Sequence, residues 1–198
     1  MAKSDYTTLL NLPGSVSFFA ITAMRDLMLP NMLGEEQHHI LYWAGRDLAT
    51  KLPVAESALP QLFTQVGLGT LSPLKQKRQE RQYLLAGDVV ATRIRTYDDP
   101  DFQLEAGFLA QALQQVFGFA VEGGSAIQRR EQNVVLTVVM DNKDTQPTAE
   151  HLIDLASDQS LVNSHTENKR RTNGFSRHGR NSFALRFLCL VYFLLLMR

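Results

Sequence analysis

The chain has 198 residues, of which 44% are hydrophobic and 20% are charged, a composition typical of a globular protein that buries a full core. The formal net charge is zero, and acidic residues outnumber basic ones in the first 150 residues, which argues against a nucleic-acid-binding surface. Cys189 is the only cysteine, which excludes a disulfide framework, a thiolate zinc site and CxxC redox chemistry.

The first third of the chain is predicted to be helical. Apolar residues recur at helical spacing from Phe18 through Ile21 and Met24 (or Arg25) to Met28. Proline and glycine residues then interrupt the pattern and separate it from two further periodic stretches. Three helices are therefore predicted, over residues 18–29, 35–52 and 55–66.

The periodicity changes after the third predicted helix. Residues 69–87 alternate loosely between apolar and polar, which predicts two antiparallel strands joined by a turn, either at 78–80 or at Gly87-Asp88. Residues 88–97 could continue as a strand or as a helix, because their β-branched apolar residues do not decide between the two.

The clearest helical pattern of the chain covers residues 101–117. Its apolar residues surround most of the helix, which predicts a central buried helix. Two strands are predicted to follow, over residues 119–128 and 133–140. Because helices and strands come in runs and do not alternate strictly, we predict an α+β fold with helices packed on an antiparallel sheet, in one domain over residues 1–145.

The composition changes beyond that domain. Residues 146–182 are polar and partly basic, which predicts a disordered tail, and residues 183–198 form a short apolar C-terminal segment. The apolar run is shorter than the ~20 residues that span a bilayer. An interfacial anchor and a frame-altered extension both fit it, and membrane contact is expected only if this segment is a natural part of the protein. The N-terminus has no secretion signal, so we expect a cytoplasmic protein.

Several phrases of the sequence, taken in order, resemble one family. They are LPNMLG at 29–34, YWAG at 42–45, GLGTL at 67–71, FQLEAGFLA at 102–110 and VVLTV at 134–138. The set resembles the YslB family of uncharacterised proteins from low-GC Gram-positive bacteria. That family is similar, more remotely, to the fold of TRAPP vesicle-tethering subunits and of vinyl-reductase-like (4VR) ligand-binding domains.

The resemblance implies an α/β sandwich that dimerises through its helices and encloses an apolar cavity for a small hydrophobic molecule. One departure limits what can be carried over. The 4VR domains have a cysteine pair near their C-terminal hairpin, where this chain has Gly123-Gly124-Ser125. No metal or thiol role is therefore expected from the resemblance.

Glu105 is the most informative charged residue of the predicted core. It lies in the helix expected to be buried, and a buried carboxylate must be paired or protonated. Arg93 or Arg95 is the candidate partner. A structural ion pair and a polar group lining a pocket both remain open, and Gly107 nearby could admit a second backbone or a ligand.

Tyr42 and Trp43 supply large apolar surface, together with the methionines and phenylalanines of the first helix. Core or dimer interface is one interpretation of these residues, and a ligand pocket is the other. The predicted ligand-binding residues are Tyr42, Trp43, Arg93, Glu105 and Phe108.

Two polar clusters have simpler explanations than chemistry. Glu35, Glu36, His38 and His39 could suggest a metal site, but the two histidines are adjacent and face different directions, so an exposed acidic helix start explains them. Carboxylates at 98, 99 and 101 precede the buried helix, where capping and the helix dipole explain them without acid–base catalysis. No catalytic residue, metal or cofactor is predicted.

Three functional hypotheses follow from these observations. The first is a homodimeric, non-enzymatic module that binds a small hydrophobic ligand or another partner. The second is an adaptor that docks a protein through an exposed apolar helix face. The third, an enzyme using Glu105 in a closed pocket, would require Glu105 to line a solvent-connected cavity.

Overall fold

A computed structural model of the chain describes residues 17–153 and residue 155. The helices are α1 (Phe18–Thr22), a π-helical turn (Ala23–Met28), α2 (Leu29–Leu33), α3 (Gln37–Lys51), α4 (Leu59–Gln65), α5 (Asp88–Thr96) and α6 (Gln103–Phe117). Short 3-10 turns occupy Gly34–Glu36 and Glu56–Ala58. The strands are β1 (Thr70–Gln76), β2 (Glu80–Ala86), β3 (Phe119–Gln128) and β4 (Asn133–Thr145).

The four strands form one antiparallel sheet in the order β1-β2-β4-β3. Alternate residues of the central strand β4, from Val134 to Met140, are buried, while Val139 on the opposite side is exposed. This alternation is typical of a sheet with one face covered. Helices pack on the covered face, which confirms the predicted α+β class.

The turn and the helix that the sequence left open are both settled by the structure. The chain reverses between β1 and β2, where the Lys77 N–H donates to the Glu80 carbonyl at 2.8 Å. Residues 88–96 are helical, and the residues that α5 buries are Val89, Val90, Arg93 and Ile94. Burial at these spacings requires a helix, which the β-branched residues alone could not indicate.

Helix α6 lies between α3 and the sheet, and glycines make this close approach feasible. A Cβ atom on Gly107 would stand 2.0 Å from the Tyr42 carbonyl oxygen, and one on Gly45 would stand 2.1 Å from the Leu104 carbonyl oxygen. On the sheet side, a Cβ on Gly123 would come within 2.7 Å of the Ala106 oxygen. The close approach expected at Gly107 is therefore made by another backbone.

Contacts with the domain continue past residue 145. The Gln146 N–H donates to the Gly118 carbonyl at 2.9 Å, and the Ile153 N–H donates to the Pro53 carbonyl at 2.7 Å. The Ile153 side chain is partly buried against the core. Most of the predicted polar tail and all of the apolar segment at 183–198 lie outside the described residues. Among the described helices, none is long and apolar enough to cross a membrane.

Candidate functional site

Residues 18–33, formed by α1, the π-helical turn and α2, are called the arm below. Arg25 is the one residue of the arm that is buried as a whole, at 7% exposure, and the side chain of its neighbour Asp26 is buried with it. The large apolar side chains of the arm that are at least half exposed are Phe18, Phe19, Met24, Leu27, Met28 and Met32. The arm therefore directs charge toward the domain and apolar surface toward solvent, the reverse of an ordinary surface helix.

The exposed apolar surface is concentrated in this part of the chain. Eight of the eleven exposed large hydrophobic residues among the described residues lie between Phe18 and Trp43. Two of them, Ile40 and Trp43, belong to α3, and the Trp43 residue is 62% exposed. Single exposed apolar residues are common on protein surfaces, but a concentration of this kind is typical of an interaction site.

Arg25 and Asp26 connect the arm to the domain through a charge quartet, defined as Arg25, Asp26, Arg93 and Glu105. The Arg25 guanidinium donates two hydrogen bonds to the Glu105 carboxylate, one of them from Nη2 to Oε2 at 2.8 Å. Arg93 donates to the Asp26 carboxylate from Nε and Nη2, each at 2.9 Å. Arg93 Nη1 also lies 3.4 Å from Glu105 Oε1, so the four charges alternate in sign.

The quartet is almost completely removed from water. The Glu105 side chain is 0% exposed, and the side chains of Arg93 and Asp26 are 2% and 3% exposed. The Arg93 guanidinium also stacks on the Phe102 ring at 4.3 Å and donates to the Asp101 carbonyl. Each charge therefore has a partner of opposite sign, as a buried ionic group requires.

Burial and pairing act in opposite directions on the two central groups. Burial alone would raise the pKa of Glu105, but Arg25 and then Arg93 hold that pKa below its usual value. Burial would lower the pKa of Arg25, and Glu105 reverses this effect and raises it. Glu105 is therefore ionised at neutral pH and fully engaged, instead of lining a solvent-connected cavity.

The ion-pair interpretation of Glu105 is therefore the one that the structure shows. Arg93 is one of its two partners, whereas Arg95 is exposed and contacts Thr92. Arg25 was not predicted as a partner, although helical spacing offered Arg25 in place of Met24 on the inward face. That alternative was the only sequence signal for it.

The other predicted ligand-binding residues lie in different environments. Phe108 is buried and meets Phe63 edge to face, with ring centroids 5.7 Å apart. The half-buried Tyr42 donates its hydroxyl proton to Glu122 Oε2 at 2.6 Å. Trp43 is exposed beside Tyr42. The structure thus brings Arg93 and Glu105 together and separates the buried Phe108 from the exposed Trp43; as ligand-binding residues, all five stay predictions.

Among the carboxylates before α6, Asp101 contacts both the start of that helix and His38 of α3. Asp101 Oδ1 accepts the N–H of Gln103, the first residue of α6, at 2.8 Å, and Asp101 Oδ2 lies 2.5 Å from His38 Nδ1. Burial raises the pKa of Asp101, although the Gln103 N–H and His38 both act to lower it. Within the described residues, no group of three or more His, Cys, Asp or Glu side chains could hold a metal ion.

A surface groove of about 440 Å³ lies elsewhere, between the turn before α4 and the β1–β2 hairpin. In its wall, Glu56 Oε1 accepts hydrogen bonds from Arg81 and from the Tyr83 hydroxyl, the latter at 2.7 Å. Burial, followed by Glu56, raises the pKa of Tyr83. The groove contains none of the five predicted ligand-binding residues, and Arg81 and Tyr83 in its wall both pair with Glu56.

Comparison with known proteins gives a family and two distant structures. The model of a family described as protein of unknown function (DUF2507) matches residues 18–139. The chain is 37% identical to the uncharacterized protein YslB of Bacillus subtilis (strain 168) over 127 residues. This alignment covers 64% of this chain and 86% of that protein.

Each of the two structures is 14% identical in sequence to the chain. A vinyl-4-reductase family protein from Methanocaldococcus jannaschii aligns over 68% of this chain and 88% of its own, with a TM-score of 0.49. The phenol-responsive sensory domain of the transcription activator PoxR, solved with phenol, aligns over 63% and 75%, with a TM-score of 0.47. Likeness this distant does not transfer a ligand or a reaction.

Proposed function

This chain belongs to the DUF2507 family, as its resemblance to YslB led us to expect, and we propose that it is a non-enzymatic binding module that pairs with a second copy of itself through the exposed side of the arm. The observation that carries the proposal is the inverted arm. A helix that exposes phenylalanine and methionine while burying arginine gains stability once its outer side is covered. Burying one such apolar side chain contributes ~1.5–3 kcal/mol.

The charge distribution of the arm favours a second copy as the partner. Arg25 and Asp26 are its only charged residues, and both belong to the inward charge quartet. The outer side is therefore uncharged, so two copies related by a two-fold axis would meet without like-charge repulsion. An uncharged surface has no attraction for the phosphates of a nucleic acid. The cytoplasmic setting expected from the sequence is part of this proposal.

A small hydrophobic ligand is the second candidate, because methionine side chains adapt to apolar ligands of different shapes. In this version of the proposal the ligand would lie against the exposed side of the arm and Trp43. Within the core, Phe108 is apolar and Glu105 is fully paired, so neither offers this ligand a polar contact.

Native mass spectrometry of the full chain, compared with the same sample after denaturation, tests both candidates. We expect a dimer mass without an adduct. A dimer that loses a small molecule on denaturation would support the ligand candidate as well. A monomer without an adduct would contradict both.

A matched pair of variants locates the interface. Met28 is 55% exposed on the arm, and Leu74 is 54% exposed on β1. We expect Met28→Glu to shift the dimer toward monomer, because pairing would bury a carboxylate against apolar surface. Leu74→Glu should leave the dimer unchanged. Equal effects of the two substitutions would place the interface elsewhere.

A further inference from the structure

The charge quartet connects the arm to two different elements of the domain. Arg93 belongs to α5 and Glu105 belongs to α6, and each pairs with one of two consecutive arm residues, Asp26 and Arg25. Both arm residues lie in the π-helical turn. Such turns are rare and occur frequently at functional sites.

Little apolar packing joins the arm to the buried core cluster. Its only apolar residue packed against the core is Ile21, which is partly buried, and its large phenylalanine and methionine side chains are exposed. Buried ion pairs add little net stability, because desolvation offsets their attraction, but their geometry is specific. The arm is therefore attached by contacts that define its position more than they stabilise it.

The junction between the arm and α3 is suited to movement. Gly34 has φ +59° and ψ −143°, a conformation that residues with side chains rarely adopt. A Cβ atom on Gly34 would meet nothing within 4 Å. Glycine at this junction can absorb a change in backbone direction without a collision.

From these observations we propose that the arm is a hinged element, with Gly34 as the hinge and the charge quartet as the clamp that orients its apolar side. Arg25 and Asp26 are then positioning residues for partner binding. Their role in partner binding rests on the proposed function, whereas the clamp itself does not. Release of the clamp would free the arm while the α6–sheet core stays folded.

Hydrogen–deuterium exchange of the full chain, followed by mass spectrometry, tests the clamp. The variant Arg25→Met/Asp26→Asn removes the arm half of the quartet and leaves Arg93 paired with Glu105. Arg130→Met/Glu131→Gln is the matched control, because it neutralises a consecutive pair of opposite charges in the exposed β3–β4 turn. Asp26→Asn alone keeps the Arg25–Glu105 contact and provides a milder second variant.

We expect exchange in residues 18–33 to rise about tenfold or more in the double variant and less in Asp26→Asn, with α6 and β4 unchanged. The control should match the wild type. Unchanged exchange in the arm would overturn the proposal. Equal loss of protection in α6 would also overturn it, because the quartet would then support the whole core.

The same samples separate this proposal from the proposed function. If the wild type is a dimer, the double variant should dissociate at protein concentrations at which the control stays dimeric. If the wild type is a monomer, pairing with a second copy fails, while the exchange of the arm still decides whether the quartet is a clamp.

Discussion

Helix α6 and the arm bury opposite kinds of side chain. Helix α6 buries Phe108, Leu109 and Leu113 between α3 and the sheet, and its single buried charge is Glu105. The arm buries Arg25 and exposes phenylalanine and methionine. Helical spacing identifies residues that share a face, but it does not determine which face is turned inward. The need of the buried Glu105 carboxylate for a cationic partner provides a reason for the inverted arm.

The largest expected effect comes from the charge that joins the two regions. Glu105→Gln leaves two buried arginines with one carboxylate fewer, and we expect a loss of ~3–5 kcal/mol in the free energy of unfolding. Chemical denaturation measures this loss, and Glu131→Gln in the exposed β3–β4 turn is the control. A loss below ~1 kcal/mol would mean that Glu105 is not essential to the quartet.

The close contact between α6 and α3 at Gly107 should be the next most sensitive to substitution. Gly107→Ala places a Cβ atom against the Tyr42 carbonyl, and since backbone cannot rotate away, we expect a loss of ~3 kcal/mol. Gly124→Ala is the control, because nothing lies within 4 Å of its added Cβ. Equal losses in the two variants would show that the collision at Gly107 is relieved by movement of α3.

Acid should weaken the contribution of Glu105 to the stability of the fold. The pKa of Glu105 is lowered in the folded state, so its contribution is complete above its ordinary pKa of 4.5 and is lost as pH falls through the folded-state pKa. We therefore expect the stability difference between wild type and Glu105→Gln to be constant above about pH 4.5 and to shrink below it. Measuring the difference removes most of the opposite effect of Asp101, whose pKa is raised first by burial, which both proteins share, and least by Glu105. A difference that grows on acidification would contradict this sign.

The smallest effect is expected on the outer side of the arm. Met28→Ala removes an exposed side chain and should change the stability of the monomer by less than ~0.5 kcal/mol. Leu109→Ala, in the fully buried face of α6, should cost ~2–5 kcal/mol under the same conditions. Similar losses in both variants would mean that Met28 is covered in the isolated chain.

The sequence by itself determined the elements with strong local patterns. Helix α6, the four strands and the α+β class follow from periodicity, and the phrases between 29 and 138 are sufficient to identify the family. The need of Glu105 for a cationic partner, with Arg93 as a candidate, also follows, because a buried carboxylate in an apolar helix is costly unless it is paired.

Only the tertiary structure decided that residues 88–96 are helical and that Arg25 is turned inward. The apolar residues of α5 are β-branched and fit a strand equally well, so their packing against the sheet decides the outcome. For the arm, helical spacing allowed either Met24 or Arg25 on the inward face. Glu105 selects Arg25 by pairing with it in space. The two residues are 80 positions apart in the sequence, so no local pattern could show this contact.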